Sequence, residues 1–266
     1  MFGYALRACV PFKRRLGLGA LCLAALGFGL LSHTIGGDRS HAFAQVASAA
    51  LFPLVLPLAG LVIGDAVLGA EVRAGTFHFT WLSPVRTLTI AIGRWAAGTL
   101  VVGVALGPSF FAAALIAGSP RSAGAASLGA ITGGAAYVAL FIAIGVLVRR
   151  AAVVSLAVVF LGERLLGGVL TGIAQLSPMW EGRAVFTGLA PTVHTFSSVL
   201  PPGLPPPGSL QGPFPPQTVT VHIQTFHRAG IPDGWGAVVR LAIITIVALF
   251  VATRRLRVIK LAGSTD

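Results

Sequence analysis

The sequence predicts an all-α integral membrane protein with six transmembrane helices and both termini cytoplasmic. Three observations carry that prediction. The 266-residue chain is 55% hydrophobic and only 10% charged, with a mean hydropathy of +0.89. A soluble domain averages about 25% charged residues. The apolar residues fall into six long runs. The basic residues gather between those runs, mainly in alternate connections, which is a membrane pattern. This composition excludes a soluble enzyme domain, a nucleic-acid-binding module and a disordered tail.

The runs cover 16–35, 42–64, 95–118, 124–148, 151–173 and 235–253. Each is long enough to cross a hydrocarbon core of ~30 Å as a helix. Lipid offers no water to orphan amides, so each run must be a helix or part of a closed barrel. Barrel strands need only ~10 residues and alternate in polarity. These runs are longer and do not alternate, so they are read as helices in one transmembrane domain, 1–266.

Orientation follows from the basic residues. With the N-terminus inside, cytoplasmic segments hold thirteen of the nineteen Lys and Arg, among them Lys13, Arg14 and Arg15, then Arg73, Arg86 and Arg94, then Arg149 and Arg150, then Arg254 to Lys260. External segments hold four: Arg39, Arg121, Arg183 and Arg228. The net charge of +12 then anchors a cytoplasmic rim against anionic membrane lipid, and no nucleic acid partner is expected.

The ends and connections add detail. The first run lacks a small-residue cleavage site and is kept as a mature span. Cys9 and Cys22 have neither metal-ligand spacing nor a reason to pair, and are expected to be inert thiols. The external connection 174–234 contains "LPPGLPPPGSLQGPFPPQ", which cannot be regular helix or central strand. It is either an extended cap or a loop. No internal repeat is evident.

The cytoplasmic connection 65–94 is the most informative stretch. With its flanking residues it reads "GDAVLGAEVRAGTFHFTWLSPVRTLTIAIGRW". Asp65 can cap a short helix, with Val67, Leu68, Glu71 and Val72 at helical spacing. Gly75 and Thr76 end one turn and start the next. Phe77, Phe79, Trp81 and Leu82 suit a membrane interface. Ser83-Pro84 then breaks the chain, because the residue before proline is pushed out of the helical region. The result is a short amphipathic element between the second and third spans.

Glu71, Gly75, Thr76, Ser83, Pro84, Val85, Gly93 and Arg94 together resemble the coupling segment of ABC-2 type transporter permeases. In that family an acidic residue precedes a Gly-Thr pair, and a Ser-Pro-Val step leads to a basic residue at the next span. The motif covers about thirty residues, and the six-span topology resembles the family over the whole chain. Arg73 stands where a second acidic residue is common, and Phe77-His78 where Leu-Glu is common.

The resemblance implies a permease subunit of an ATP-driven transporter in a prokaryotic plasma (inner) membrane. It implies a partner ATP-binding cassette subunit docked on Glu71, Gly75, Thr76, Ser83, Pro84 and Arg86. It also implies a second permease subunit, as a homodimer or with a related chain. ATP and magnesium would sit on the partner, and no cofactor on this chain. The chain's two lysines, Lys13 and Lys260, fit no Walker A motif, so it is not expected to be an ATPase itself. The resemblance implies export, and the apolar spans suit a lipophilic or amphipathic solute. The rival is a stand-alone secondary transporter or channel, and a non-transporting membrane scaffold is a third class. A proton-coupled carrier usually shows carboxylates in several spans, whereas Glu163 is the one within these runs.

Glu163 and Arg164 lie inside the fifth run. A charge at a helix centre costs about 2.5–3.5 kcal/mol on insertion scales. The pair marks either a polar contact in the bundle interior or a break between two shorter segments. Pro53 and Pro57, one turn apart, are hinge candidates. Glycine pairs at four-residue spacing, Gly60/Gly64, Gly103/Gly107, Gly129/Gly133 and Gly168/Gly172, permit close helix contact. His222 and His227 lack an acidic neighbour, and no metal site is expected. Every histidine lies in or at the edge of a loop, which disfavours an intramembrane protease at Ser109.

Overall fold

A computed structural model describes residues 11–35, 38–64, 67, 86–148, 151–166, 176–190 and 234–262. Among them every regular element is helical. Helix α1 is Phe12–Thr34, α2 Arg39–Gly64, α3 Thr87–Ile116, α4 Pro120–Leu147, and α7 Gly234–Ala262. These five are long and apolar enough to cross a membrane. Two shorter elements complete the described chain. Helix α5 runs through 151–166, and α6 is Pro178–Leu189.

The helices extend beyond the apolar runs, and the reason is visible at their ends. Helix α3 starts eight residues before Trp95, because Arg94 is buried at 3% exposure inside it. A hydropathy reading stops at that charge, but the fold satisfies it: Arg94 Nη1 donates to the Val67 carbonyl at 2.6 Å. Helix α4 begins with Pro120 in its first turn, where a missing N–H costs nothing. Asp38 caps α2, accepting from the Ser40 amide at 3.1 Å and the Ser40 hydroxyl at 2.7 Å. Those two bonds hold its carboxyl below the usual carboxylate range.

Helix α4 is the core of the bundle. In its most apolar window 72% of residues are buried, against 22% in α1 and 33% in α3 and α7. It packs against α2, α3, α6 and α7. The outer helices expose rows of large apolar side chains, such as Leu16, Leu23 and Leu30 on α1 and Val239, Ile246 and Phe250 on α7. Such rows are at home in hydrocarbon.

Small residues set how closely α4 is approached. A Cβ on Gly60 would stand 2.6 Å from Tyr137 Cβ, and one on Gly64 2.6 Å from Phe141 Cβ. Gly129 and Gly133 meet the backbone of α6 and the side chains of Phe52 and Leu56. Gly107 meets Ile131, while Gly103 is nearly open, its nearest neighbour 3.9 Å from the Cβ position. Close contact of this kind, rather than hydrophobic drive, holds helices together in lipid. Gly168 and Gly172 lie outside the described residues.

Two stretches depart from α-helix. Helix α2 is π-helical over Ala47–Val55, with Pro53 inside, before returning to α-helix at Leu56. Proline cannot donate to the preceding turn. The wider turn absorbs that gap, and the Leu56 amide reaches Leu51 O. Pro57 is the second residue of the α-helical part. Helix α5 is α-helical over Ala151–Ala157 and π-helical over Val158–Leu166, which includes Glu163.

Of the fifth run, 151–166 is described and is helical throughout; 167–173 lies outside the described residues. Within the connection expected as a Pro-rich external loop, 176–190 is described and contains a helix, while the Pro-rich stretch itself lies outside the described residues. Ser177 and Pro178 start helix α6, with the Ser177 hydroxyl accepting from the Trp180 amide at 3.4 Å. Twelve residues reach about 18 Å, too short to cross a bilayer. Yet α6 packs against Gly129, about 14 Å along α4 from Pro120. It lies alongside the apolar helix α4. Backbone of this kind is tolerated where protein surrounds it, and most of α6 from Pro178 to Phe186 is buried.

Candidate functional site

The site lies where the two π-helical stretches face α6. Wide turns are rare and are often found at functional positions. Here they leave a cavity of about 200 Å³, lined by Ser48 and Pro53 from α2, Glu163 from α5, and Met179, Trp180 and Arg183 from α6. The structure thus brings together Glu163 and one of the two hinge prolines, which are distant in sequence.

Glu163 is 4% exposed. Its Oε2 accepts a hydrogen bond from the Tyr137 hydroxyl of α4, and the Ser177 side chain lies against the same pair. Tyr137 is itself fully buried and stacks on Phe141, with ring centroids 5.4 Å apart. The Trp180 indole N–H donates to the Glu163 carbonyl at 3.4 Å. Glu163 thus makes a polar contact in the bundle interior. The π-helical turn around it shows that the helix is also irregular there.

Arg183 stacks on the Trp180 ring, 5.4 Å from its centroid. Its Nε is buried without a hydrogen-bond partner, as is Ser48 Oγ across the cavity. Beside the cavity, Glu181 is 1% exposed and pairs with Arg240 of α7 at 3.4 Å, joining α6 to the last helix. Phe186, further along α6, packs against Phe43 at 5.9 Å and Phe52 at 5.6 Å. Helix α6 is therefore held by close glycine contact, an ion pair and stacked rings.

The other candidates fall as follows. Arg86 is exposed and caps α3 in an extended conformation. Glu71, Gly75, Thr76, Ser83 and Pro84 lie outside the described residues, as do Cys9, His222 and His227. The side chain of Arg164 is likewise outside them. Cys22 is a free thiol whose Sγ donates to Ala105 O at 3.5 Å. Ser109 donates to the same carbonyl at 2.6 Å, one turn back on its own helix. Among the described residues no group of His, Cys, Asp and Glu is placed to hold a metal ion.

Sequence reasoning did not single out Tyr137, Glu181, Arg183 or Arg240 as partners. The Ser177-Pro178 step, a capping residue followed by proline, is the signal that announces α6. No family model matches the sequence, and no curated protein matches it.

Proposed function

We propose that the chain is a permease subunit of an ATP-driven ABC-2 type transporter, working as a dimer in a prokaryotic plasma membrane. A separate ATP-binding cassette subunit would dock on 65–94 and hydrolyse ATP. One observation supports this reading most. Arg94, the last residue of the coupling-like segment, is buried and bonded to Val67, near that segment's start. Both ends of the segment are therefore fastened to the bundle at the junction of α2 and α3. A push on the segment would reach α2, whose π-helical turn lines the cavity. A two-state element biased by nucleotide is what such coupling requires. The cargo reading remains export of a lipophilic or amphipathic solute.

Glu71→Arg tests the docking role. In the assembled complex, transport per ATP hydrolysed is expected to fall at least tenfold while membrane insertion is unchanged. Unchanged transport per ATP would contradict it.

A further inference from the structure

The cavity between the π-helical turns and α6 holds one acid and one base that do not pair with each other. Glu163 stands on one wall and bonds Tyr137. Arg183 stands on another, stacked on Trp180. Two polar atoms of the lining residues, Ser48 Oγ and Arg183 Nε, are buried and unpartnered. Orphan polar atoms are costly in a low-dielectric interior, so a chain that keeps them is fitted to something that satisfies them.

We propose that this cavity binds a small zwitterionic group: an oxyanion joined by a short spacer to an ammonium. Guanidinium forks match carboxylate and phosphate oxygens, so the oxyanion belongs beside Arg183 and the Ser48 hydroxyl. The ammonium belongs beside Glu163. An apolar guest would leave both charges unmatched. A simple anion would meet Glu163, and a simple cation would meet Arg183. A zwitterion answers both and brings no net charge into the bundle. At about 200 Å³ the cavity takes a small group and not a drug-sized molecule. As a statement about cargo, this rests on the transporter reading; as a statement about binding, it stands on the cavity alone.

The test uses the purified full-length chain in detergent, without ATP or any partner, so it fails independently of the transporter reading. Phosphoethanolamine and β-alanine are titrated calorimetrically, with inorganic phosphate, acetate and ethanolamine as their separate halves. At least one zwitterion is expected to bind ten times more tightly than either of its halves. Arg183→Gln is expected to weaken that binding at least tenfold, and Arg183→Lys to restore part of it. If Arg183→Gln does not fold, Ser48→Ala is read in its place, with a loss of about threefold expected from one hydroxyl hydrogen bond. Competition by dihexanoyl phosphatidylethanolamine would assign the group to a lipid headgroup, and lack of competition to a free solute; the site stands in both cases. The proposal is overturned if neither zwitterion binds, if the halves bind as tightly, or if binding is unchanged in folded Arg183→Gln or, where that variant fails, in folded Ser48→Ala.

Discussion

Gly129→Val is expected to force helix α6 out of its seat. A Cβ at that position would stand 2.6 Å from the Gly182 carbonyl oxygen and 3.1 Å from the Phe52 ring. The first obstacle is backbone, which cannot turn aside as a side chain can. Helix α6 must shift as a body, and with it the Glu181–Arg240 pair and the seat of Phe186. Overpacking a well-filled interior typically costs about 1–3 kcal/mol, and a backbone clash belongs at the top of that range. In thermal unfolding of the detergent-purified chain, the midpoint should fall by about 5 °C or more. Gly103→Val is the control, because its Cβ position is 3.9 Å from the nearest atom, on Ile131. That variant should unfold close to wild type. Equal midpoints for the two variants would mean that α6 is not packed against α4 as described.

Tyr137→Phe is expected to destabilise the bundle by about 2 kcal/mol, the range for a buried hydrogen bond to a carboxyl group. The change removes one hydroxyl and keeps the ring on Phe141. It leaves Glu163 at 4% exposure without its Tyr137 donor. Glu163→Leu removes the acid as well. The double variant should therefore recover part of the loss, as expected when a buried polar pair is removed together. Unfolding midpoints of the two single variants and the double variant form the cycle. Additivity within about 0.5 kcal/mol would show that the two side chains are not coupled.

The architecture was legible in the sequence where hydropathy alone decides it. Long apolar helices separated by basic clusters follow from length and composition, and the described helices coincide with five of the six apolar runs. Three of the four spaced glycine pairs fall at helix contacts, although spacing alone did not distinguish crowded Gly129 from nearly open Gly103. What escaped the sequence is what depends on a partner distant in the chain. Arg94 read as the last residue of the cytoplasmic connection, because its acceptor, Val67, is twenty-seven residues away in the chain. Helix α6 read as loop, because Glu181 and Arg183 lower its hydropathy. Arg240 neutralises Glu181, and Trp180 shields Arg183, only in the folded bundle. Glu163 was recognisable as an intramembrane acid, but Tyr137, twenty-six residues away, was not recognisable as its donor.

The central claim, that this chain is the membrane half of an ATP-driven transporter, is tested most directly by what travels with it. The chain is purified by affinity tag from its native membranes in mild detergent, and the co-purifying proteins are identified by mass spectrometry. The account predicts a stoichiometric partner carrying a P-loop. A clean homo-oligomer without any nucleotide-binding partner would contradict it.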